Sequence, residues 1–463
     1  MSDLSLLLES PPRGWAPARF SDICARVQDA ASPSADGKRL YLGLEHLASG
    51  FPALVGQGME SDVRSGKTSF RSGDVLFGKL RPYLRKSVLV GEDGICSTDI
   101  LVFRATEKCI PEFLCLLTHT DEFIGHAKAT TSGVQHPRTS WSGLREFKLH
   151  IPPVREQRKI AGVLAVVQRA MEQQERLLAL TAELKKALMH QLFTAGLRGE
   201  PQKQTEIGPV PESWNLMPCE DLCEMITVGI VVKPASHYVE KGVPAFRSFN
   251  IREDCLVPND LVYFSETANN TTLAKSKLRA GDILVVRTGY PGTSCVVPQE
   301  YDGANCIDLV IARPKIGMIR SGFLSRFFNA PAGKSQALAA KHGLAQQHLN
   351  VSAVKRTLVP VPAPEEQDEI DNSLATVQRK IAVITAKRDT LTALFRTLLH
   401  QLMTAQLRVH DLDLDNLECI LECGDVSPLS GGATRRAGQS ADVSAHSKGG
   451  PAKKSRKQGR EAV

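Results

Sequence analysis

Apolar positions along this chain follow two rhythms, and each rhythm occurs twice. IPPVREQRKIAGVLAVVQR, from Ile151, places apolar residues three and four apart, and VPAPEEQDEIDNSLATVQR, from Val361, does the same. Glu156-Gln157 falls on Glu366-Gln367, and the same offset of 210 positions carries LMHQLFTAGLR (Leu188 to Arg198) onto LLHQLMTAQLR (Leu398 to Arg408) without a gap. In the second copy Ile370, Leu374, Val377, Ile381, Ile384, Arg388, Leu391, Phe395, Leu398, Leu402 and Ala405 keep the 4-3 spacing of a coiled-coil seam. The same register in the first copy gives Ile160, Leu164, Val167, Met171, Gln174, Leu178, Thr181, Lys185, Leu188, Leu192 and Ala195. Gln174, Thr181 and Lys185 are polar, so the first stripe is expected to find its partner in the second. Prolines precede both helices and early glutamates complement their dipoles. About 44 residues at 1.5 Å each make a rod of roughly 65 Å, long enough to hold two bodies apart.

Ahead of each rod the rhythm shortens to that of strands. DVLF, SVLV and ILVF in the first half correspond to DILVV, TSCVV and DLVIA in the second, with PEFLCLLTH and GFLSRFFNA as intervening helices. The openings PPRGWAPARFSDIC and PVPESWNLMPCEDLC pair Trp15 with Trp214. The expected fold is α+β, with two similar mixed α/β domains separated by a pair of long antiparallel coiled-coil helices. The boundaries read as a first domain over 1–150, a first helical spacer over 151–200 and a second domain over 201–358 whose first residues, 201–213, are a linker. A second spacer over 359–410 and an acidic segment with a basic, disordered tail over 411–463 complete the chain. Scaffold residues agree between the copies and the connecting loops diverge, as expected when one fold reads two different things.

Composition narrows the function. The 463 residues carry a net charge of +7, but Asp425 to Val463 alone holds eight Lys/Arg against three Asp/Glu, so the globular body is close to neutral. Binding to a polyanion must therefore come from local patches. The eleven cysteines include no Cys-x-x-Cys, and several sit in apolar runs, which reads as buried reduced thiols and no metal site. No stretch has the length or apolarity of a membrane span, and the first residues lack the cations of a signal peptide, so a cytoplasmic protein is expected. Phosphate-binding, nucleophile-elbow, metalloprotease and dinucleotide motifs are all missing from the sequence. Asp74 and Asp282, the Asp of each Gly-Asp, are expected to bond local backbone N–H groups in a turn. Neither is expected to serve a nuclease.

Binding residues are better represented. Lys79, Arg81, Tyr83, Arg85 and Lys86 follow the first Gly-Asp strand, and Arg287 and Tyr290 follow the second. The loops SGVQHPR and HGLAQQHLN add Gln135, His136 and Arg138, then Gln346, Gln347, His348 and Asn350. Cations place a protein on phosphates, while Arg, Gln and Asn read base edges. The other reading is a coiled-coil scaffold that assembles proteins without sequence-specific DNA binding.

Together the helix starts PPVREQ and PAPEEQ, the paired ends HQLFTAGLR and HQLMTAQLR, and TEIGPVPESW opening the second half resemble the DNA-specificity subunit of type I restriction-modification systems, over residues 12–410. The resemblance implies two target-recognition domains, each reading one half of a split, asymmetric double-stranded DNA sequence. It also implies two adenine-methyltransferase (modification) subunits docked along the rods, a restriction/translocase subunit for cleavage, and S-adenosylmethionine held by the methyltransferase, with no cofactor and no catalytic residue on this chain. His190, Gln191, His400 and Gln401, at the helix ends, are the candidates for the partner interface.

Overall fold

The computed structural model describes residues 12–339 and 348–411. Gln346, Gln347 and most of the acidic segment and basic tail lie outside the described residues. Each domain is closed by pairing its first strand with its last: Ala16–Arg19 runs antiparallel to Lys148–Ile151, and Asn215–Pro218 to Leu358–Val361. Because the closing strand leads straight into a helix, each domain is anchored at the root of its own rod.

The six anticipated strands fall in two matching four-stranded sheets. In the first domain β1 (Cys24–Val27), β2 (Val75–Gly78), β3 (Ser87–Leu89) and β4 (Ile100–Ala105) lie in the order β1–β4–β2–β3. In the second, β5 (Cys223–Val228), β6 (Ile283–Val286), β7 (Ser294–Val296) and β8 (Leu309–Pro314) repeat it as β5–β8–β6–β7. A further mixed sheet accompanies each, with one parallel pairing apiece: Leu40–Leu42 beside Gly94–Cys96, and Val243–Phe246 beside Asn305–Cys306. The Gly-Asp turns are structural, as expected. Asp74 accepts the Arg71 N–H at 2.8 Å and a two-pronged contact from Arg104, and Asp282 accepts the Arg279 N–H at 2.8 Å and the same contact from Arg313. Eight of the nine described cysteines are buried and all nine are free thiols; only Cys255 is exposed.

The rods are α1 (Val154–Ala195, 42 residues) and α2 (Pro364–Met403, 40 residues). Each spans about 60 Å. They run antiparallel: Glu156, at the start of α1, pairs with Arg408 beyond the end of α2, Glu175 meets Arg388, and Lys185 meets Gln378. Much of the anticipated seam is buried, including Ile160, Leu164, Val167, Met171 and Leu192 on α1 and Ile370, Leu374, Ile384, Leu391, Phe395, Leu398 and Leu402 on α2. Polar Gln174 and Lys185 are buried too, while Leu178, Thr181 and Leu188 are only half-buried. The weak middle of the α1 stripe is therefore where the helix pair is least covered.

Two apolar cores straddle the pair. One joins Phe20, Phe77, Phe103 and Phe123 of the first domain to the start of α1 and the end of α2. The other joins Trp214, Phe323 and Phe327 of the second domain to the end of α1 and the start of α2. The domains thus sit at opposite ends of the rods, each gripping both.

The duplicated Glu-Gln pair explains how each grip is fixed. Fully buried Gln157 donates to the Lys108 and Pro152 carbonyls and accepts the Ile110 N–H, all at 2.9 Å. Gln367 repeats this with Met318, Pro362 and Arg320 at 3.2, 3.0 and 2.8 Å. Trp15 Nε1 donates to Glu156 at 3.3 Å and Trp214 Nε1 to Glu366 at 3.2 Å. The same glutamates hold the far end of the other helix, Glu156 through the Arg408 guanidinium at 3.0 Å and Glu366 through the Leu197 N–H at 3.2 Å. Removing a glutamine would leave three backbone groups without their partner, one of the bonds buried and two part-buried. Gln157→Leu and Gln367→Leu are each expected to cost about 3 kcal/mol. Hydrogen–deuterium exchange should place the loss in the first domain for Gln157→Leu and in the second for Gln367→Leu.

Candidate nucleic-acid interface

In each domain two loops distant in sequence are brought together, and they are the loops that carry the candidate binding residues. In the first domain the Arg81 N–H donates to the Pro137 carbonyl at 2.8 Å and the Thr139 N–H to Lys79 at 3.0 Å. In the second, the Leu349 N–H donates to the Arg287 carbonyl at 3.0 Å, Arg287 Nε donates back to the Leu349 carbonyl at 3.0 Å, and the Thr288 hydroxyl lies 2.6 Å from His348 Nδ1. Arg81 and Arg85 flank the short turn Pro82–Leu84 with left-handed backbones, φ 51° and 50°. That conformation is costly for a residue with a Cβ, by about 1–2 kcal/mol, so the surrounding bonds hold the loop in one shape.

The two loop pairs are each organised by an aspartate that the sequence reading passed over. Asp99 accepts Arg138 at 3.0 Å and lies 3.8 Å from Lys79; Asp308 pairs with Arg287 and lies 3.4 Å from the Thr288 hydroxyl. Each directly precedes its strand, β4 or β8, at matching places in the repeat. That shared position was the signal available.

This pairing sorts the candidates. Arg138, Arg287 and Lys79 face an aspartate, Arg85 pairs with Asp121 and the His119 carbonyl, and Lys86 donates to the Leu44 carbonyl at 2.6 Å. Asn350 caps the helix Val351–Arg356 by accepting the Ala353 N–H at 2.8 Å. These residues shape the loops. Arg81, Tyr83, Gln135, His136 and Tyr290 keep their side chains exposed, and among the described residues Arg81 makes no ion pair. Val134 is 99% exposed at the hairpin tip beside Gln135, and Tyr290 is 80% exposed between two glycines of positive φ. The sequence reading also missed Val231, Val232 and Lys233. They adjoin the second site because Ile230 bridges Ile307 and accepts the Asp308 N–H.

The partner-interface candidates divide between the ends of the helix pair. His190 and Gln191 are exposed at one end; His400, 3.7 Å from Glu122, is exposed at the other, where Gln401 is half-buried. An exposed apolar patch on the middle of the rods was not anticipated: Leu177, Leu180 and Leu184 on α1 with Val383 on α2.

Among the described residues no cluster of His, Cys, Asp and Glu could hold a metal ion, and no helix is long and apolar enough to cross a membrane.

Residues 57–182 match the family described as Type I restriction modification DNA specificity domain. The chain is 21% identical over 422 residues to the type I restriction enzyme MjaVIII specificity subunit of Methanocaldococcus jannaschii, covering 87% of this chain and 95% of that protein. It is 26% identical over 203 residues to the EcoDI specificity subunit of Escherichia coli, a match that spans 42% of this chain and 44% of that protein. The fold is similar to the solved S subunit of the type I system from M. genitalium, with a TM-score of 0.55 at 15% identity over 85% of this chain and 97% of that one. A chain from a solved type I R-M assembly gives 0.50 at 22% identity, covering 86% of this chain and 99% of that one.

Beside these loops, His119 is wholly buried. Its Nε2 meets the Ser87 carbonyl at 3.0 Å, and burial, helped by nearby Arg85, lowers its pKa from 6.5 to about 4. The folded state thus keeps the ring neutral where the unfolded chain already binds a proton. Stability from this group is full above pH 6.5 and falls as the pH drops towards 4, by about 3 kcal/mol in all. Unfolding midpoints between pH 7 and 4 should fall less steeply in His119→Gln than in the unaltered chain.

Proposed function

We propose that the chain is a non-catalytic specificity subunit of a type I restriction-modification system, a reading supported by the family match over residues 57–182 and the likeness to the MjaVIII specificity subunit, and that it reads a split, asymmetric DNA sequence, one half-site with each globular domain. The observation that carries this reading is the mounting: two copies of one fold at opposite ends of an antiparallel helix pair, locked by twin Trp–Glu contacts and twin buried glutamines. A rigid spacer makes the distance between half-sites a geometric quantity. Arg81, with Lys233 in the other domain, is suited to positioning on phosphate. Gln135, His136, Tyr83 and Tyr290 are suited to base edges and groove walls. Cations already paired with Asp99, Asp121 and Asp308 serve to hold the loops.

On this reading two adenine-methyltransferase subunits dock along the helices, near His190 and Gln191 at one end and His400 and Gln401 at the other. They carry S-adenosylmethionine, and a restriction/translocase subunit joins for cleavage. The assembly works in the cytoplasm, where its DNA is. A scaffold without DNA binding accounts less well for this arrangement, since it gives no reason for two loops to meet around an aspartate at matching places in both domains.

Mapping N6-methyladenine in host DNA tests the proposal. A two-part motif with a fixed unspecified gap, lost on deleting this protein, is expected; an unchanged methylation pattern would refute it. Arg81→Ala should weaken binding about equally across sequences and lower the salt slope by about one. Inserting one heptad into α1 alone should shift the accepted gap or abolish binding, with neither half-sequence altered.

A further inference from the structure

Beyond the shared tryptophan–glutamate and glutamine contacts, the two domains meet the rods by different chemistry. At the first, Phe395 of α2 packs on Phe51 with ring centres 5.2 Å apart, and Gln168 of α1 donates to the Pro52 carbonyl at 3.0 Å. The repeat places Lys185 where Phe395 stands and Gln378 where Gln168 stands. There the contact is a buried ion pair. Lys185 Nζ donates to Asp254 Oδ2 at 2.7 Å and to Gln378 Oε1 at 2.8 Å, with side-chain exposures of 9% for Lys185 and 5% for Asp254.

Asp254 is itself tightly held. It lies in the turn between the strands Ile251–Arg252 and Cys255–Leu256 with a left-handed backbone, φ 58°. Its Oδ1 accepts Asn329 Nδ2 at 2.9 Å, and its N–H donates to the Ser294 carbonyl at 3.0 Å. Asn329 also bonds the Ser294 N–H and carbonyl, both at 2.9 Å. Ser294 opens β7, four residues after Tyr290. One network therefore runs from both rods to the strand that ends the second domain's reading loop.

We propose that Lys185 and Asp254 are positioning residues that set the rotation of the second domain on the rods, and with it the base-pair gap the protein accepts. The inference rests on the two-half-site reading above. Apolar contact is non-directional and permits small rolls, whereas short charge-assisted hydrogen bonds fix an angle. A buried pair also adds little stability over apolar residues of similar size, so its use here fits orientation better than strength. The demand is angular: one base pair more or less turns the second half-site by about 35° and moves it about 3.4 Å.

The test uses the full complex with its methyltransferase subunits and duplexes carrying both half-sites at the natural gap and at one base pair shorter and longer. The unaltered protein should bind the two off-length duplexes about tenfold more weakly, the scale of a mismatched base pair. Lys185→Met with Asp254→Asn removes both charges, keeps the side-chain stem and retains a residue tolerant of left-handed backbone. In this variant the off-length penalty should fall to about threefold or less, with penalties for substitutions inside either half-site unchanged. A sharp gap preference in a variant of normal thermal stability overturns the proposal, and so does equal loss on all three duplexes, which marks a merely structural pair. Should the double variant unfold, Gln378→Leu carries the test, and an unbroadened profile in it overturns the proposal. If the unaltered protein has no gap preference, the two-half-site reading falls and this inference with it.

Discussion

The antiparallel register of α1 and α2 is the constraint on which everything else rests. Each domain's core is incomplete without residues from both helices: Leu391, Phe395, Leu398 and Leu402 complete the first, and Met189, Leu192 and Phe193 the second. Sliding one helix by a turn, about 5.4 Å, would withdraw apolar side chains from both cores together. It would also part Glu156 from Arg408 and Glu366 from the Leu197 amide. Those contacts sit at the two ends of the pair, so the register is fixed at its extremities, where a small angular error has the longest lever. The domains are thus placed relative to one another by packing that neither could complete alone.

Much of this was legible because it is periodic or duplicated. The 4-3 spacing announced both rods, and the matched strand triplets announced both sheets in order. What periodicity could not convey was which polar residues turn inward. Lys185 and Gln174 read as flaws in the α1 stripe, yet both are buried, because Lys185 meets an aspartate from the second domain. Such a partner, 69 positions away, leaves no local trace. The same limit applied to the candidate loops. A string of cations reads as a phosphate-binding surface until Asp99, Asp121 and Asp308 are found among them, and pairing across a fold is a property of the folded chain.

The internal neutralisation of these loops bears on the role proposed for each domain. A loop that spends Arg138, Arg85 and Arg287 on its own aspartates gives up non-specific attraction to a polyanion. It gains a surface held in one shape, on which a few donors and exposed apolar tips such as Val134 and Val232 stand clear. On the proposed reading, affinity for any DNA would be modest and discrimination would come from fit. This agrees with a body of nearly neutral charge, which would be a poor design for indiscriminate binding.

Repetition of the fold does not extend to the whole surface of the rods. An antiparallel pair built from two copies has an approximate twofold axis across its middle, so the chain carries two similar faces. The exposed patch of Leu177, Leu180, Leu184 and Val383 breaks that symmetry, since the repeat puts Lys387, Thr390, Leu394 and Gln173 at the corresponding places. The buried Lys185–Asp254 pair breaks it again, a few residues further along α1. Both departures lie on the stretch of α1 that leads to the second domain. Equivalence is thus kept where each helix meets its own domain, through the repeated glutamine and glutamate, and is relaxed between those points. A chain built from duplicated parts can differ there without disturbing either core.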